Sequence, residues 1–549
     1  MMNHKKYVKF PKFDFKERTW PDKELVKAPV WCSTDLRDGN QALQVPMDLE
    51  QKLEFFKFLV KIGFKEIEVS FPSASETEYR LVRRLVEENM IPDDVTIQVF
   101  TQAREHLVAR TFEAVKDVKK AIIHLYNSTC PMHRDWVFNK SKEEIKELAV
   151  SGAKMFREYG EKYGIEKYRF EYSPETFNAT EPDYAVDICN SVLDIWKPEP
   201  GRKAIINLPE TVQYTTPNVY ADQIEYACNN LHCRENVVVS VHTHNDRGTG
   251  IAATELAILA GAERVEGTMF GNGERTGNAD IMVLAMNFYM QGIDCGLDFS
   301  NMDEIVKEYE KFTEMTVHPR HPYAGEFVFT AFSGSHQDAI KKGMDKIGCD
   351  YQTWKMPYLI IDPKDIGRNY EAIIRINSQS GKGGVFYVLE QKYGIKVPIK
   401  AMQQEFGNIA TIVSDSGHKE LVPEEIYDLF LKEYVNIDVP VSVSRFEEKA
   451  NGESVITSDI SVNGKVKTIF GKGNGFLDAF SRAISKELGI SFDIKSYSEH
   501  ALEDGAKSKA ITYMQIDGNG KTCFGAGISE SISKSSVKAL ISAINRMIR

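Results

Sequence analysis

The sequence predicts an α/β protein: a (β/α)8 TIM barrel, a mixed linker region and a C-terminal pseudo-symmetric α+β domain. Residues 30–273 alternate β-rich runs with helical patterns, and the runs are almost continuously apolar, as parallel strands buried on both faces should be. Residues 431–549 carry a weak internal repeat. A chain of 549 residues is also too long for one compact domain.

Eight strand candidates define the predicted barrel. They are residues 30–38, 66–71, 95–100, 121–126, 168–173, 204–208, 237–244 and 265–270. Eight βα units in succession favour a closed barrel. An open, doubly wound sheet is the alternative, but it more usually has a glycine-rich turn after its first strand, where this chain has Arg37–Gln41.

The segment Asp48–Gly63 shows how the intervening helices are predicted. Asp48 can cap the start, with Gln51 three residues on, and Gly63 suits the position after the end. The spacing of its apolar residues places them on one helix face. That face comprises Leu49, Leu53, Phe56 and Val60.

Changes of pattern divide the chain into four predicted parts. They are an N-terminal extension (1–29), the barrel (30–323), linker subdomains (324–430) and the C-terminal domain (431–549). In the C-terminal domain, Phe470–Gly473 and Phe524–Gly527 are matching Gly-x-Gly segments, each followed by a helical pattern. The cleft between two such copies is a natural ligand site.

Charge and composition exclude several classes of partner. The net charge is −11 and there is no basic stripe, so we expect no nucleic-acid partner. There is no signal-peptide pattern and no apolar run long enough for a bilayer, so we expect no membrane association. The eight cysteines include no C-x-x-C pair, which is typical of thiols in a reducing compartment. The expected location is the cytoplasm.

The segment Val241–Asp246 is the strongest chemical signal, because it places His242 and His244 on one face at the end of the seventh strand. Two polar residues at a strand end, bonded to their neighbours, are the plainer interpretation. In a barrel, however, the carboxyl ends of all strands meet at one mouth. Asp38 and Asn278 would then join the histidines in a mixed nitrogen and oxygen site for Mg²⁺, Mn²⁺ or Zn²⁺.

Three neighbouring features have two interpretations each. Asp35 is either an alternative metal ligand or a structural side chain. Arg37 either stabilises an alkoxide beside the metal or forms an ion pair with a carboxylate such as Glu274. The glycine-rich loop Gly271–Gly277 lacks the spacing of a phosphate-binding loop, so we expect it to let the backbone approach the metal site.

These motifs together resemble those of the 2-isopropylmalate synthases, in the longer form found in many bacteria and in fungi. The resemblance covers essentially the whole chain, and the H-x-H-N-D motif alone would also fit homocitrate and citramalate synthases and 3-hydroxy-3-methylglutaryl-CoA lyases. Asn40 and the C-terminal unit narrow the choice. The matching segments are Arg18–Pro21, Asp35–Leu43, His242–Gly248, Gly271–Asn278 and Tyr497–Ala501.

The resemblance implies roles for individual residues. Asp38, His242 and His244 would be metal ligands, with Asn278 at or near the metal. Arg37 would contact the ketone oxygen of the substrate. Four residues would line the pocket for a 2-oxo acid: His124, Ser173, Glu175 and Thr211. His336 and Tyr370 would come from the linker region, and the Glu175/His336 pair is our candidate for the base that deprotonates acetyl-CoA.

The same resemblance implies the reaction and its partners. Acetyl-CoA and 2-oxoisovalerate would condense to 2-isopropylmalate, the first committed step of leucine biosynthesis. Mg²⁺ is the expected metal, with Mn²⁺ and Zn²⁺ as alternatives and K⁺ as a candidate activator.

The C-terminal domain would bind leucine as a feedback inhibitor, with the Gly-x-Gly segments and residues 503–510 as candidates for its pocket. The chain would be a homodimer in which the linker region of one subunit reaches the barrel mouth of the other.

Three positions depart from the family pattern. Glu210 stands where a small residue is usual, Gln213 where Glu is usual, and Phe100 where Leu is more typical. A larger side chain at position 100 could reshape the pocket for the isopropyl group, an effect of about 1–3 kcal/mol for one methylene. Because Phe100 and Glu210 could both influence the choice of acceptor, the identity of the 2-oxo acid is open to pyruvate or 2-oxoglutarate, as in citramalate or homocitrate synthases.

Two hypotheses compete with a synthase. A lyase on the same barrel would generally lack the C-terminal unit. A non-catalytic amino-acid sensor would have no use for the complete set of Arg37, Asp38, His242 and His244.

Overall fold

The structure is a computed structural model that describes residues 6, 10–11, 13–331, 333–348, 352–368, 382–417, 421–451, 453–503, 505, 508–518 and 520–549. The described residues form two compact units. The first runs to Val328 and includes Lys364–Arg368, and the second comprises Phe329–Pro363 and the chain beyond Arg368. In the described part of the chain, no helix is both long and apolar enough to cross a membrane.

The first unit is a closed barrel of eight parallel strands in sequential order, which confirms the predicted fold. Every predicted strand is present. The strands are β1 Val30–Ser33, β2 Glu66–Ser70, β3 Thr96–Gln102, β4 Ala121–Ser128, β5 Tyr168–Glu175, β6 Ala204–Glu210, β7 Val237–Thr243 and β8 Arg264–Gly267.

Helices cover the outside of the barrel. They are α1 Leu49–Ile62, α2 Glu76–Glu87, α3 Glu105–Ala114, α4 Lys142–Tyr163, α5 Pro182–Trp196, α6 Pro217–Asn230, α7 Gly250–Leu259, α8 Ile281–Tyr289 and α9 Met302–Thr313. The predicted caps of α1 are confirmed, because Asp48 and Gln51 form a capping box and Gly63 follows the helix in the left-handed region at φ 114°.

The first strand is shorter than predicted. It ends at Ser33, and Asp35–Gly39 form a wide helical turn instead of continuing the strand. The Asp35 carboxylate accepts hydrogen bonds from the Ser33 hydroxyl (2.7 Å) and from the backbone N–H of Met269 (3.1 Å). These bonds fold the chain back over the strand end and place Arg37 and Asp38 at the barrel mouth.

The second unit begins with helices and continues with two antiparallel sheets, each followed by a helix. The helices are α10 Gly334–Ile347, α11 Lys382–Tyr393, α12 Lys400–Gly417, α13 Pro423–Tyr434, α14 Phe476–Leu488 and α15 Ile532–Ile548. The strands are β9 Val441–Asn451, β10 Glu453–Val462, β11 Lys465–Gly473, β12 Phe492–Ala501, β13 Ala510–Gly518 and β14 Lys521–Ser529. The sheet orders are β11-β10-β9 and β12-β13-β14.

The predicted repeat is confirmed as two strand–turn–strand–helix units, β10-β11-α14 and β13-β14-α15, which share one apolar core. The Gly-x-Gly segments allow the helices to approach the strands closely. A Cβ at Gly471 would lie 2.1 Å from the carbonyl oxygen of Ala479, and one at Gly525 would lie 2.3 Å from the backbone nitrogen of Ala543. The four glycines therefore serve close packing of the helices on the strands.

Candidate metal centre and substrate cavity

Three elements bring the expected metal ligands together at the barrel mouth. Asp38 lies in the turn after β1, His242 is on β7 with His244 just beyond it, and Asn278 follows the loop after β8. The candidate ligand atoms of Asp38 and the two histidines all lie within 4.8 Å of one another. All four side chains are buried.

The geometry of this group fits a divalent metal. Asp38 Oδ2 lies 3.4 Å from His242 Nε2 and 3.8 Å from His244 Nε2. Among the described residues neither ring nitrogen of His244 has a hydrogen-bond partner, although the side chain is buried. A buried imidazole without partners is costly unless something binds it. One carboxylate and two imidazoles, with the amide of Asn278 beside them, are a donor set for Mg²⁺, Mn²⁺ or Zn²⁺.

Asp38 is held as a carboxylate. Burial alone would raise its pKa, but the Arg37 guanidinium and contacts with His242 and His244 outweigh burial and hold the pKa well below its usual range. Asn278 Nδ2 also donates to Asp38 Oδ2 at 2.8 Å. The group is therefore charged and ready to bind a cation.

Arg37 is fixed beside Asp38 on three sides. Its guanidinium donates to Glu68 and to Asp38 Oδ1 (2.6 Å), and its carbon lies 4.3 Å from the centre of the Phe100 ring. Glu274, the partner considered from the sequence, instead accepts a hydrogen bond from Gln41. Arg37 also lines the cavity at the barrel mouth, so it is both paired and available to a substrate.

Asp35 is a structural side chain. Its oxygens bond Ser33 and Met269, and it is absent from the group of candidate metal ligands among the described residues. Burial raises its pKa to about 7 against the lowering effect of these hydrogen bonds.

The glycine-rich loop wraps around Asn278. A Cβ at Gly277 would lie 2.0 Å from the carbonyl oxygen of Gly271, and one at Gly273 would lie 2.6 Å from Asn278 Nδ2. Gly277 also adopts φ +98°, which favours glycine. The loop therefore does bring the backbone close to the candidate metal ligands.

A cavity of about 290 Å³ opens beside these ligands. All four residues expected at the 2-oxo acid pocket line it: His124, Ser173, Glu175 and Thr211. His124 Nε2 lies 2.7 Å from Ser173 Oγ, the Ser128 hydroxyl donates to Glu175, and Thr211 Oγ1 accepts from the backbone N–H of Thr176 at 2.9 Å. The structure thus places the expected substrate residues and the metal ligands in one space.

Phe100 lines the same cavity, as expected from its departure from the family pattern. Its ring stacks on Tyr126 at 4.3 Å and meets the edge of His124 at 4.8 Å. Since the ring is packed on two sides, it is a rigid part of the wall.

Glu210 is not a pocket residue, contrary to our expectation that it could influence the choice of acceptor. It lies on the side of β6 that faces away from the cavity, which Pro209 and Thr211 line instead, because successive residues of a strand face opposite sides. Its carboxyl accepts a hydrogen bond from Gln213 Nε2 at 3.0 Å. Burial raises the pKa of Glu210 to about 8.

The sequence did not lead us to predict a layer of buried charged and polar side chains beneath the candidate metal ligands. It consists of Glu68, Gln98, Glu171, Arg264 and Glu266, whose side chains are completely buried inside the barrel. Gln98 Nε2 donates to both Glu68 Oε2 and Glu266 Oε1 at 2.7 Å. The available signal was charged residues at alternate positions in otherwise apolar strands, Glu66-Ile67-Glu68 and Arg264-Val265-Glu266.

Of the two linker residues, His336 lies outside the barrel unit. His336 is an exposed residue of α10 in the second unit, and its ring stacks on Tyr358 with 3.9 Å between centres. Tyr370 lies outside the described residues.

Three family descriptions match successive parts of the chain. Residues 28–308 match the HMGL-like family, residues 326–390 match the alpha-isopropylmalate synthase post-catalytic domain-like family, and residues 420–548 match the LeuA allosteric (dimerisation) domain. The first match covers the barrel and all the candidate metal ligands.

Curated relatives match over nearly the whole length. A 2-isopropylmalate synthase from Acetoanaerobium sticklandii is 53% identical over 100% of this chain and 97% of its own length. Those of Clostridium acetobutylicum and Desulfitobacterium hafniense are each 54% identical, over 99% and 97% of this chain and 99% and 96% of their own lengths. With the barrel, the donor set and all three domain matches in agreement, the chain belongs to the 2-isopropylmalate synthase family.

Proposed function

We propose that this chain condenses acetyl-CoA with 2-oxoisovalerate and hydrolyses the thioester, giving 2-isopropylmalate and CoA. The observation that carries the proposal is a single cavity lined by Asp38, His242 and His244, by Arg37 and by the four expected substrate residues. The names of the relatives support this choice of reaction. The reaction is the first committed step of leucine biosynthesis.

Asp38, His242 and His244 would hold the divalent metal, with Asn278 beside it. Mg²⁺ is our first choice, with Mn²⁺ and Zn²⁺ as alternatives and K⁺ as a candidate activator. Such a metal supplies Lewis-acid charge to the oxygens of a bound 2-oxo acid.

Arg37 would stabilise the oxyanion that forms when the acetyl carbon adds to the ketone. Its guanidinium is already oriented by Glu68 and Asp38, so little reorganisation is needed as negative charge develops. His124, Ser173 and Thr211 would orient the carboxylate and carbonyl of the acceptor. Phe100 would contact its alkyl group.

Glu175 and His336 are our candidates for moving the proton from the acetyl methyl group. Glu175 lines the cavity, while His336 and Tyr370 would be supplied by the linker region, from the partner subunit of a homodimer. Replacing His336 by Ala is expected to lower kcat by about 100- to 10,000-fold. An unchanged kcat would exclude His336 as the base.

We further propose that leucine binds the C-terminal domain and inhibits the barrel, and that the protein works in the cytoplasm. The match to an allosteric dimerisation domain supports leucine control and the homodimer. The seven cysteines among the described residues are unpaired, which fits a reducing compartment.

The test is CoA release from acetyl-CoA with Mg²⁺ or Mn²⁺ and each of four acceptors, with and without leucine. The acceptors are 2-oxoisovalerate, pyruvate, 2-oxobutyrate and 2-oxoglutarate. We expect fastest release with 2-oxoisovalerate and suppression by leucine. A faster reaction with another acceptor would keep the mechanism and change the substrate. No release by metal-loaded protein would favour a lyase or a sensor.

A further inference from the structure

The side of His242 that faces away from the other ligands contacts Glu266. Glu266 Oε2 lies 3.0 Å from His242 Nδ1, and both side chains are buried. A carboxylate can only accept hydrogen bonds, so Nδ1 must carry the hydrogen. Nε2, which lies 3.4 Å from Asp38 Oδ2 and 3.3 Å from Asn278 Oδ1, is therefore the nitrogen that the neutral ring would offer to a metal.

Glu266 is itself held by three further donors. Gln98 Nε2 and Arg264 Nη1 donate to Oε1 at 2.7 and 3.0 Å, and Asn207 Nδ2 donates to Oε2 at 3.1 Å. With His242, four donors fill the acceptor positions of the carboxylate. Glu266 therefore has little freedom to rotate or move.

The two histidines of the site differ in whether a hydrogen bond to a neighbouring side chain fixes the ring. Among the described residues, His244 has no hydrogen-bond partner at either ring nitrogen, so no side chain fixes the position of its hydrogen. His242 is the ring that is oriented in advance.

We propose that Glu266 is the positioning residue of the metal centre, because it fixes the tautomer and direction of His242 and thereby sets metal affinity. The inference rests on the metal site of the proposed function. Carboxylates behind ligand histidines typically change metal affinity or activity by about 10- to 100-fold when replaced.

The variant Glu266→Gln tests this with almost no change of shape. If the Gln oxygen faces His242, its NH2 group meets the donors Gln98 and Arg264. If the NH2 group faces His242, the ring is forced into the other tautomer. Either arrangement loses hydrogen bonds that hold His242 or residue 266 in the wild-type protein.

Glu171→Gln is the matched control. Glu171 is equally buried in the same charged layer and lies 3.4 Å from Arg264, but it contacts none of the candidate metal ligands in the described residues. Glu266→Asp keeps the charge but shortens the side chain by one methylene, so it separates loss of position from loss of charge. It also carries the test if Glu266→Gln does not fold.

The measurement is the Co²⁺ affinity and visible absorption spectrum of the full-length protein, with thermal unfolding as a check of folding. We expect Co²⁺ binding to weaken by about 10- to 100-fold in both Glu266 variants, with an altered spectrum, and to stay within about 3-fold of wild type in Glu171→Gln. Wild-type affinity in a folded Glu266 variant, or an equal loss in Glu171→Gln, would overturn the proposal.

The result can be separated from the proposed reaction. If wild-type protein binds Co²⁺ but releases no CoA with any acceptor, the proposed function fails. The ratio of affinities between the Glu266 and Glu171 variants still decides whether Glu266 positions the ligand.

Discussion

Arg37 and Phe100 form one wall of the cavity, because the guanidinium lies over the ring and both side chains are packed. The carboxylates of Glu68 and Asp38 hold the charged end of Arg37, and Tyr126 and His124 hold Phe100. Under the proposed function, the charge would face the reacting oxygens of the substrate, and the ring would limit the space for its alkyl group.

Replacing Phe100 by Leu should enlarge the acceptor pocket. We expect the ratio of kcat/KM for a longer 2-oxo acid, such as 2-oxoisocaproate, to that for 2-oxoisovalerate to rise by about 10- to 200-fold, because one or two carbons in an apolar pocket contribute about 1–3 kcal/mol. Tyr126→Phe is the control, since it keeps the ring stacked on Phe100. An unchanged ratio in Phe100→Leu would show that another residue limits the pocket.

The buried Glu210 should make stability depend on pH. Its pKa is raised by burial from 4.5 to about 8, so between these values the folded protein keeps a proton that the unfolded chain has lost. Stability from this group therefore falls as pH rises from about 4.5 to 8 and is constant above that range. We expect Glu210→Gln to raise the thermal midpoint at pH 8 by several degrees and to have a smaller effect at pH 5. The same effect at both values would contradict the assignment.

The loops after β1 and β8 are the elements that complete the candidate metal centre, whose two histidines lie on β7 and just beyond it. The first carries Arg37 and Asp38, and the second folds back through Gly271 and Gly277 to present Asn278. The first contains the helical turn Asp35–Gly39, and the second begins with a single 3-10 turn, Met269–Gly271. Each depends on hydrogen bonds to the other, such as that from Met269 N–H to Asp35.

Gly277→Ala tests the role of the second loop. The new Cβ would meet the carbonyl of Gly271, and the loop would have to open and move Asn278. We expect weaker Mn²⁺ binding in an equilibrium titration. Gly292→Ala is the control. Gly292 has a similar left-handed backbone conformation (φ +79°), but no atom lies within 4 Å of the added Cβ. It should cost about 1–2 kcal/mol of stability from the left-handed conformation and leave Mn²⁺ binding intact. Equal binding in both variants would contradict the proposed role.

Elements with local signals were predictable from the sequence, and elements fixed by distant contacts were not. The eight strands and the caps of α1 follow from apolar runs and from Asp48, Gln51 and Gly63, which interact within a few residues. The early end of β1 was missed because it depends on a bond between Asp35 and Met269, 234 positions apart. Glu210 was expected at the pocket because the alternation of side chains between the two faces of a strand was not taken into account.

The candidate site shows the same division. Barrel topology was enough to anticipate that Asp38, His242, His244 and Asn278 would meet, since all strand ends share one mouth. The support from Glu266 could not be anticipated in that way, because it requires the register between β7 and β8, which pairs His242 with Glu266.

The molecule as a whole separates the proposed chemistry from its regulation. The donor set and the cavity belong to the barrel unit, and the repeated strand–helix units belong to the second unit. We therefore expect leucine to bind with the same affinity after removal of metal by EDTA, measured by calorimetry. A loss of leucine binding with the metal would place the leucine site at the metal centre instead.

The most direct test of the central claim is the mass of the product formed from [¹³C₂]acetyl-CoA and 2-oxoisovalerate by wild-type protein and by Asp38→Asn, each with Mg²⁺. Our account predicts 2-isopropylmalate carrying both labelled carbons, in amounts equal to the CoA released, from the wild type. It predicts almost none from Asp38→Asn, which replaces the charged metal ligand. Undiminished synthesis by Asp38→Asn, or no labelled 2-isopropylmalate from the metal-loaded wild type, would contradict the account.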